Sequence, residues 1–160
     1  MDLRVAQWAA ERPDLDAAAM ASIARLGRLA RRMGAAVDKV FARHGLGRGE
    51  FDVLAALRRS GPPYRLPPGR LAAELLTSSA TMTNRLGRLE RSGLVRRRAH
   101  PSDRRSVEVQ LTDDGFARLD ETLSEHLANE QRLLAPLSAR ERAQLDALVR
   151  KLLGPLEDSG

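Results

Sequence analysis

A switch of hydrophobic periodicity between residues 78 and 111 constrains the fold more than any other feature of this 160-residue chain. Met82, Leu86 and Leu89 recur at the spacing of one helical face, and Ser78 precedes them as a good N-cap residue. Gly93 then provides a typical helix stop. Beyond it, residues 94–98 and 106–111 have the short, alternating character of strands. The sequence therefore predicts an amphipathic helix followed by a two-stranded hairpin.

A second short helix is expected directly before this one. Residues 69–76 have helical character, and only Thr77 and Ser78 separate them from the next helix. Two short helices joined so tightly are typical of a helix-turn-helix, whose second member is the recognition helix. The predicted fold class is mainly α with a small β-wing, a winged helix-turn-helix core.

Long amphipathic helices are predicted on both sides of this core. One runs from about residue 14 or 16 to His44 with heptad-like apolar spacing, which makes it about 45 Å long, too long for so small a domain to cover alone. Two more begin after Thr112 and Ser138. We therefore expect a homodimer of one domain, residues 1–160. Residues 1–46 and 113–160 are its predicted dimerisation helices, and residues 47–112 are its winged helix-turn-helix region.

The positive charge of the chain is concentrated in this central region. Residues 84–105 hold eight arginines against Glu90 and Asp103, a net charge of +6 that equals the formal charge of the whole chain. A solvated helix face normally mixes both signs, so this concentration favours a polyanionic partner over a merely soluble basic surface. Double-stranded DNA is the predicted partner.

Short polar side chains and arginines on the recognition helix and the wing are the candidate DNA contacts. Within this set Arg88 and Asn84 are the candidates for reading base edges. The predicted DNA-binding residues are Ser78, Ser79, Thr81, Thr83, Asn84, Arg88, Arg104 and Arg105.

Composition argues against several other classes. The chain has no cysteine, and its three histidines are scattered, so no metal-ligand spacing is present. No apolar run approaches the roughly 18 residues of a membrane span, which predicts a cytoplasmic protein without a membrane partner. No catalytic triad order, glycine-rich phosphate loop or paired carboxylate motif stands out. We expect neither enzymatic activity nor a cofactor.

The sequence resembles the MarR family of bacterial transcriptional regulators. Residues 71–94, LAAELLTSSATMTNRLGRLERSGL, resemble the LA..L..S...T..L..LE..GL pattern of that family, and Asp103, Arg105 and residues 111–112 resemble its D.R....LT wing. The resemblance covers essentially the whole chain, although Pro67 stands where the family often has a capping Ser or Thr. It implies a homodimer on a pseudo-palindromic operator, with half-site centres about 10 bp apart.

Within the family, residues 8–16 and 50–59 resemble the urate-responsive branch, which carries an extra N-terminal helix. The resemblance implies that a small anionic effector such as urate stacks on Trp8, pairs with Arg85 and repels Asp52, shifting the recognition helix. Arg97 at the wing base is a further candidate for this ligand site.

Each ligand-site residue also has a structural interpretation. Trp8 can be a packing anchor for its helix. Asp52 can stabilise a helix N-terminus or pair with Arg48 or Arg59. Arg85 can bind a DNA phosphate or form an internal ion pair. His126 is expected to be a satisfied interface histidine rather than a pH sensor.

Three alternative functions stay open at this stage. A sequence-indifferent architectural DNA binder would use the same basic surface without an operator. A helical protein-protein interaction module would show no salt-dependent DNA binding, and the arginine cluster speaks against it. A regulator without an effector would bind its operator whatever ligand is present.

Overall fold

The computed structural model describes residues 2–14, 17–99 and 107–157. It is mainly helical with one small antiparallel sheet, so the predicted fold class is confirmed. In chain order the elements are α1 (Asp2–Glu11), α2 (Ala18–Arg43), α3 (Arg48–Arg59), β1 (Arg65–Leu66), α4 (Pro68–Glu74), α5 (Ser79–Arg91), β2 (Val95–Ala99), β3 (Val107–Leu111), α6 (Asp113–Leu133) and α7 (Ala139–Glu157).

Helix ends follow local capping chemistry closely. The hydroxyl of Ser78 accepts the backbone N–H of Thr81 and starts α5, as predicted. The hydroxyl of Thr112 starts α6 in the same way, accepting from Gly115. Ahead of α7, Ser138 and Glu141 form a reciprocal capping box.

The helix predicted over residues 69–76 is shorter than expected. It ends at Glu74, because Leu76 adopts a left-handed backbone conformation with φ of 45°. The N–H of Thr77 donates to the carbonyl of Ala72, and the N–H of Leu76 donates to that of Ala73. This pair of bonds is a Schellman ending, in which glycine is the usual left-handed residue. Because a leucine stands in that position, the glycine that usually marks a helix end is missing from the sequence.

The three strands form a sheet in the order β1-β3-β2. Strands β2 and β3 make the predicted hairpin, with Val95 opposite Leu111 and Ala99 opposite Val107. Strand β1 adds to the other edge of β3, with Leu66 opposite Val109. The predicted hairpin tip lies outside the described residues.

One apolar core holds α3, α4, α5, the sheet and the start of α6 together. Its fully buried side chains include Leu54, Leu57, Leu71, Met82, Leu86, Leu89, Val109 and Leu119. Burial of one such leucine contributes about 1.5–3 kcal/mol. Phe41 brings the end of α2 into this core by stacking on Phe51, with ring centroids 4.5 Å apart. The winged helix-turn-helix region is therefore supported by a core within its own chain, to which the end of α2 and the start of α6 contribute.

The outer helices differ from this core. Helix α7 has no buried residue, and Leu148, Leu152 and Leu156 stand exposed along it. The first half of α2 likewise exposes Met20 and Ile23. None of the described helices is both long and apolar enough to cross a membrane. The described residues thus leave an apolar face uncovered on α7 and another on the first half of α2.

Candidate nucleic-acid interface

The core fixes which face of α5 can meet a partner. Met82, Leu86 and Leu89 are about 1% exposed, so this edge of α5 is buried against the rest of the unit. Ser79 and Asn84 lie on the exposed side, and neither side chain has a hydrogen-bond partner among the described residues. Their amide and hydroxyl groups are therefore available to an external donor or acceptor.

The other predicted hydroxyls on α5 already make local bonds. The Ser78 hydroxyl donates to Thr81 Oγ1 at 2.9 Å while accepting the Thr81 N–H. The Thr83 hydroxyl donates to the Ser79 carbonyl at 2.9 Å. These side chains are exposed and keep acceptor capacity, so a local role and a DNA contact are compatible for each of them.

Arg88 is held by a residue that sequence reasoning missed. Its Nε donates to Glu50 Oε1 at 2.5 Å, while the other oxygen of Glu50 accepts the N–H of Gly47 at 2.7 Å. The Arg88 side chain is 59% exposed, whereas the Glu50 side chain is only 11% exposed. The sequence does contain a local signal for Glu50. This glutamate lies three residues after Gly47, which is the spacing of a capping box.

The side chain of Arg85, a residue of α5, reaches the first turn of α3. A Cβ built on Gly49 would stand 2.4 Å from both Nε and Cζ of Arg85, so the guanidinium occupies the space that the glycine leaves. Arg85 is partly buried and forms no ion pair among the described residues. Its predicted internal ion pair is therefore absent from the described part of the chain.

Asp52 forms no ion pair with Arg48 or Arg59, although one structural interpretation of the sequence expected such a pair. Arg48 instead binds Asp38 on α2, with Nη2 2.9 Å from the carboxylate, and Arg59 binds Glu74 at 3.3 Å. The predicted pairing of Asp52 with either arginine was wrong, because tertiary packing places other carboxylates against them. Asp52 stays partly exposed on α3.

Trp8 lies on α1, which packs against α2. Its side chain is 50% exposed, so a large apolar surface of the indole is uncovered in this chain. This exposure is more than a simple packing anchor needs. Among the described residues no hydrogen bond or ring contact joins Trp8 to Asp52 or Arg85, and their meeting in one ligand site stays a prediction.

The wing presents a row of exposed arginines on β2. Arg97 is held by Glu90 of α5 at 3.3 Å, and Arg96 donates to the side chain of Gln110 at 3.2 Å. Both partners are themselves at least partly exposed, so these contacts leave the charges near the surface. Arg104 and Arg105, the predicted wing-tip contacts, lie outside the described residues.

A cleft of about 610 Å³ opens beside the recognition helix. It separates the turn between α2 and α3 from the second half of α5, and both Glu50 and Arg88 line it. Arg91, which sequence reasoning did not single out, stands at the same cleft and donates its Nε to the Gly87 carbonyl.

Comparison with known proteins agrees with this arrangement. The MarR family model matches residues 44–106, from the end of α2 to the wing. The chain is 44% identical to the HTH-type transcriptional regulator PecS of Dickeya dadantii over 148 residues, which cover 92% of this chain and 89% of the relative. The chain belongs to the MarR family. The predicted family resemblance is therefore confirmed, while membership of a urate-responsive branch stays a prediction.

Other relatives extend the similarity over most of the chain. The HTH-type transcriptional repressor YetL of Bacillus subtilis is 32% identical over 143 residues, covering 89% of this chain and 83% of the relative. A mutant E. coli MarR solved with operator DNA has a TM-score of 0.68 and 27% identity, covering 82% of this chain and 96% of that one. Sco3205 of Streptomyces coelicolor, solved with DNA, has a TM-score of 0.74 at 24% identity, covering 89% of each chain, and so shows the same fold. The names of PecS and YetL describe a transcriptional regulator and a transcriptional repressor.

Proposed function

We propose that the protein is a sequence-specific DNA-binding regulator, a dimeric repressor that leaves its operator when a small organic anion binds. The observation that carries this proposal is the position of the positive charge. Among the described residues of the arginine-rich segment, the exposed arginines lie on α5 and strand β2, and both elements pack on the buried core. These arginines are Arg88, Arg91, Arg96, Arg97 and Arg98. A fixed basic surface with exposed short polar side chains fits a duplex groove better than a flexible basic tail does.

The DNA contacts follow from this placement. Ser79 and Asn84 have no internal partners in the described chain, which supports a role in base-edge contacts. The proposed contact set keeps the predicted residues Ser78, Ser79, Thr81, Thr83, Asn84, Arg88, Arg104 and Arg105. The last two carry no structural support, because they lie outside the described residues.

A dimer is proposed because the outer helices need a cover. Leu148 and Leu152 on α7 are 61% and 56% exposed, and α7 buries no residue in its own chain. An exposed apolar face of this length marks an interaction surface. Residues 1–46 and 113–160 are therefore proposed as dimerisation helices around the DNA-binding region 47–112. Two-fold symmetry then calls for a pseudo-palindromic operator with half-site centres about 10 bp apart.

The test of DNA recognition is fluorescence anisotropy. Labelled DNA from immediately upstream of the gene is compared with a scrambled duplex between about 50 and 200 mM salt. We expect upstream DNA to bind at least roughly 10³-fold more tightly, with affinity falling as salt rises. Equal affinity for both duplexes at every salt concentration would replace this proposal with a sequence-indifferent architectural binder. Binding to neither would favour a protein-interaction module.

The proposed effector is urate or another purine or phenolic anion, with Trp8, Asp52, Arg85 and Arg97 as its candidate site. Two observations support the site. Gly49 leaves room for the Arg85 guanidinium directly beside α3, the helix that carries Asp52. The Trp8 indole is half exposed, as a stacking platform must be. An anion drawn to Arg85 and repelled by Asp52 would move α5 relative to α3.

Gly49→Ala tests the effector site without touching a proposed ligand residue. The new methyl group would overlap the Arg85 guanidinium, which must then move away. We expect the urate concentration that releases operator DNA to rise by about tenfold, the loss of one charged contact. Gly27→Ala is the control, because a Cβ there meets its nearest atom at 3.5 Å. Operator binding that ignores urate in the unsubstituted protein would overturn this effector while leaving the regulator intact.

A further inference from the structure

The Glu50 side chain connects two elements through separate oxygens. Its Oε2 accepts the Gly47 N–H and caps α3, while its Oε1 accepts the Arg88 Nε–H from α5, 38 residues later in the chain. The Glu50 side chain is 11% exposed, although it lines the cleft beside α5. A buried carboxylate is stable only when its oxygens are satisfied, and here both are.

The burial of Glu50 distinguishes this ion pair from a second one that α5 makes, between its Glu90 and Arg97 of β2. Glu90 and Arg97 are 41% and 46% exposed, so solvent and salt screen their attraction. Glu50 is largely removed from solvent, and its hold on Arg88 is correspondingly less screened. The Glu50–Arg88 contact is therefore the less screened of the two ion pairs, because its carboxylate partner is the more buried one.

Arg88 keeps its terminal nitrogens for another partner. Only its Nε is engaged, and within the described residues neither Nη has a hydrogen-bond acceptor. Arginine contacts guanine O6 and N7 with two donors at once, which requires the guanidinium plane to be fixed. A long side chain fixed before binding loses less conformational freedom on the DNA.

We propose that Glu50 is a positioning residue for DNA readout, whose carboxylate holds Arg88 so that its terminal nitrogens meet a base edge in the major groove. This inference rests on the proposed function, because it needs a specific operator. It assigns to α3, outside the helix-turn-helix pair, a part in sequence selection. Helix capping alone would use only the Oε2 contact and leaves the Oε1 contact unexplained.

Glu50→Gln separates capping from positioning. The glutamine oxygen can still accept the Gly47 N–H, but the amide NH₂ then faces the Arg88 Nε–H, donor against donor. We measure affinity for the operator, for duplexes with single base-pair changes, and for scrambled DNA. Operator affinity is expected to fall about tenfold while scrambled-DNA affinity is unchanged or higher, since one negative charge is gone. The lost preference should fall on the same base pairs that Arg88→Ala relaxes.

The double variant supplies the second readout. If Glu50 acts through Arg88, then Glu50→Gln together with Arg88→Ala binds the operator no more weakly than Arg88→Ala alone. Glu50→Asp, which keeps the charge but shortens the side chain and draws the carboxylate away from Arg88, is expected to show the specificity loss of Glu50→Gln. This variant tests the same contact should Glu50→Gln lower the melting temperature severely.

Glu74→Gln is the matched control, because it removes the same charge from an exposed pair with Arg59. Its base preferences should equal those of the unsubstituted protein. The inference is overturned if Glu50→Gln behaves like this control, or weakens all duplexes equally, while Arg88→Ala still relaxes preference. If the unsubstituted protein does not discriminate operator from scrambled DNA, the proposed function fails instead.

Discussion

The winged helix-turn-helix region and the outer helices of this protein are built on opposite principles. Leu54 and Leu57 on α3 are fully buried within their own chain, whereas Leu148 and Leu152 on α7 are more than half exposed. Both regions are rich in apolar residues, so composition does not separate them. The difference teaches that the leucines of the winged helix-turn-helix region are covered within their own chain, whereas those of α7 are not. This contrast is why we propose a second chain as the cover of α7.

Charge follows the same division. The self-supported region holds the arginine-rich segment that accounts for the whole net charge, and the remainder of the chain is neutral. The charges of the remainder cancel only in sum, because α2 is basic and α6 is acidic. A fixed basic surface such as the arginine-rich segment suits a polyanion. The following substitutions test this division, from the largest expected effect to the smallest.

Removing a core side chain should destabilise the winged helix-turn-helix region. Leu54→Ala leaves a cavity at a fully buried position and is expected to cost about 2–5 kcal/mol of unfolding free energy, measured by urea denaturation. Leu76→Ala is the control, since Leu76 is 94% exposed. Equal losses for both variants would contradict a self-supported core.

Charging the outer face should separate the chains without harming the core. Leu148→Glu with Leu152→Glu is expected to weaken dimerisation by about 3 kcal/mol or more, because two apolar contacts become buried charges. Analytical ultracentrifugation measures the change, and circular dichroism checks that the helices persist. A dimer of unchanged strength would place the interface elsewhere.

Recognition should divide between α5 and the wing. Asn84→Ala is expected to cost about 1–3 kcal/mol on the operator and to relax preference at one base pair. Arg96→Ala should instead weaken every duplex alike and reduce the salt slope by about one. Anisotropy titrations measure both variants. If Asn84→Ala weakened every duplex alike and Arg96→Ala relaxed preference at one base pair, the roles of the two residues would be exchanged.

Acid should weaken the junction between α2 and α6 slightly. Arg43 and then His44 hold the pKa of Glu125 below its ordinary value of 4.5 by hydrogen bonding to it. A lowered carboxylate pKa stabilises the fold above the unfolded-state value, and this contribution is lost as pH falls below about 4.5 through the folded-state pKa.

Between about pH 5 and pH 3, the Glu125→Gln variant is therefore expected to lose less stability than the unsubstituted protein. Thermal unfolding at each pH measures this difference. Glu121→Gln, on an exposed position of the same helix, is the comparison. A profile unchanged by Glu125→Gln would mean that other carboxylates account for the acid sensitivity.

Local patterns predicted the elements, whereas tertiary pairings escaped them. Periodicity and capping located α5, α6 and α7, because these signals lie within one or two neighbouring turns of the same helix. The end of α4 was misplaced, since a leucine holds the left-handed position that glycine usually marks.

Ion pairs between helices were beyond those local signals. Arg48 and Arg59 pair with carboxylates on other helices rather than with Asp52, and Glu50 meets Arg88 across 38 residues. The capping role of Glu50 was readable from its spacing to Gly47, but its second contact depends on how α3 packs on α5.

Selection from a pool of random duplexes tests the central claim most directly, because it requires both a reading surface and a dimer. After several rounds of binding and sequencing, we expect an inverted repeat whose half-site centres lie about 10 bp apart. A single unrepeated half-site would contradict the dimer, and a pool that stays random would contradict sequence-specific recognition.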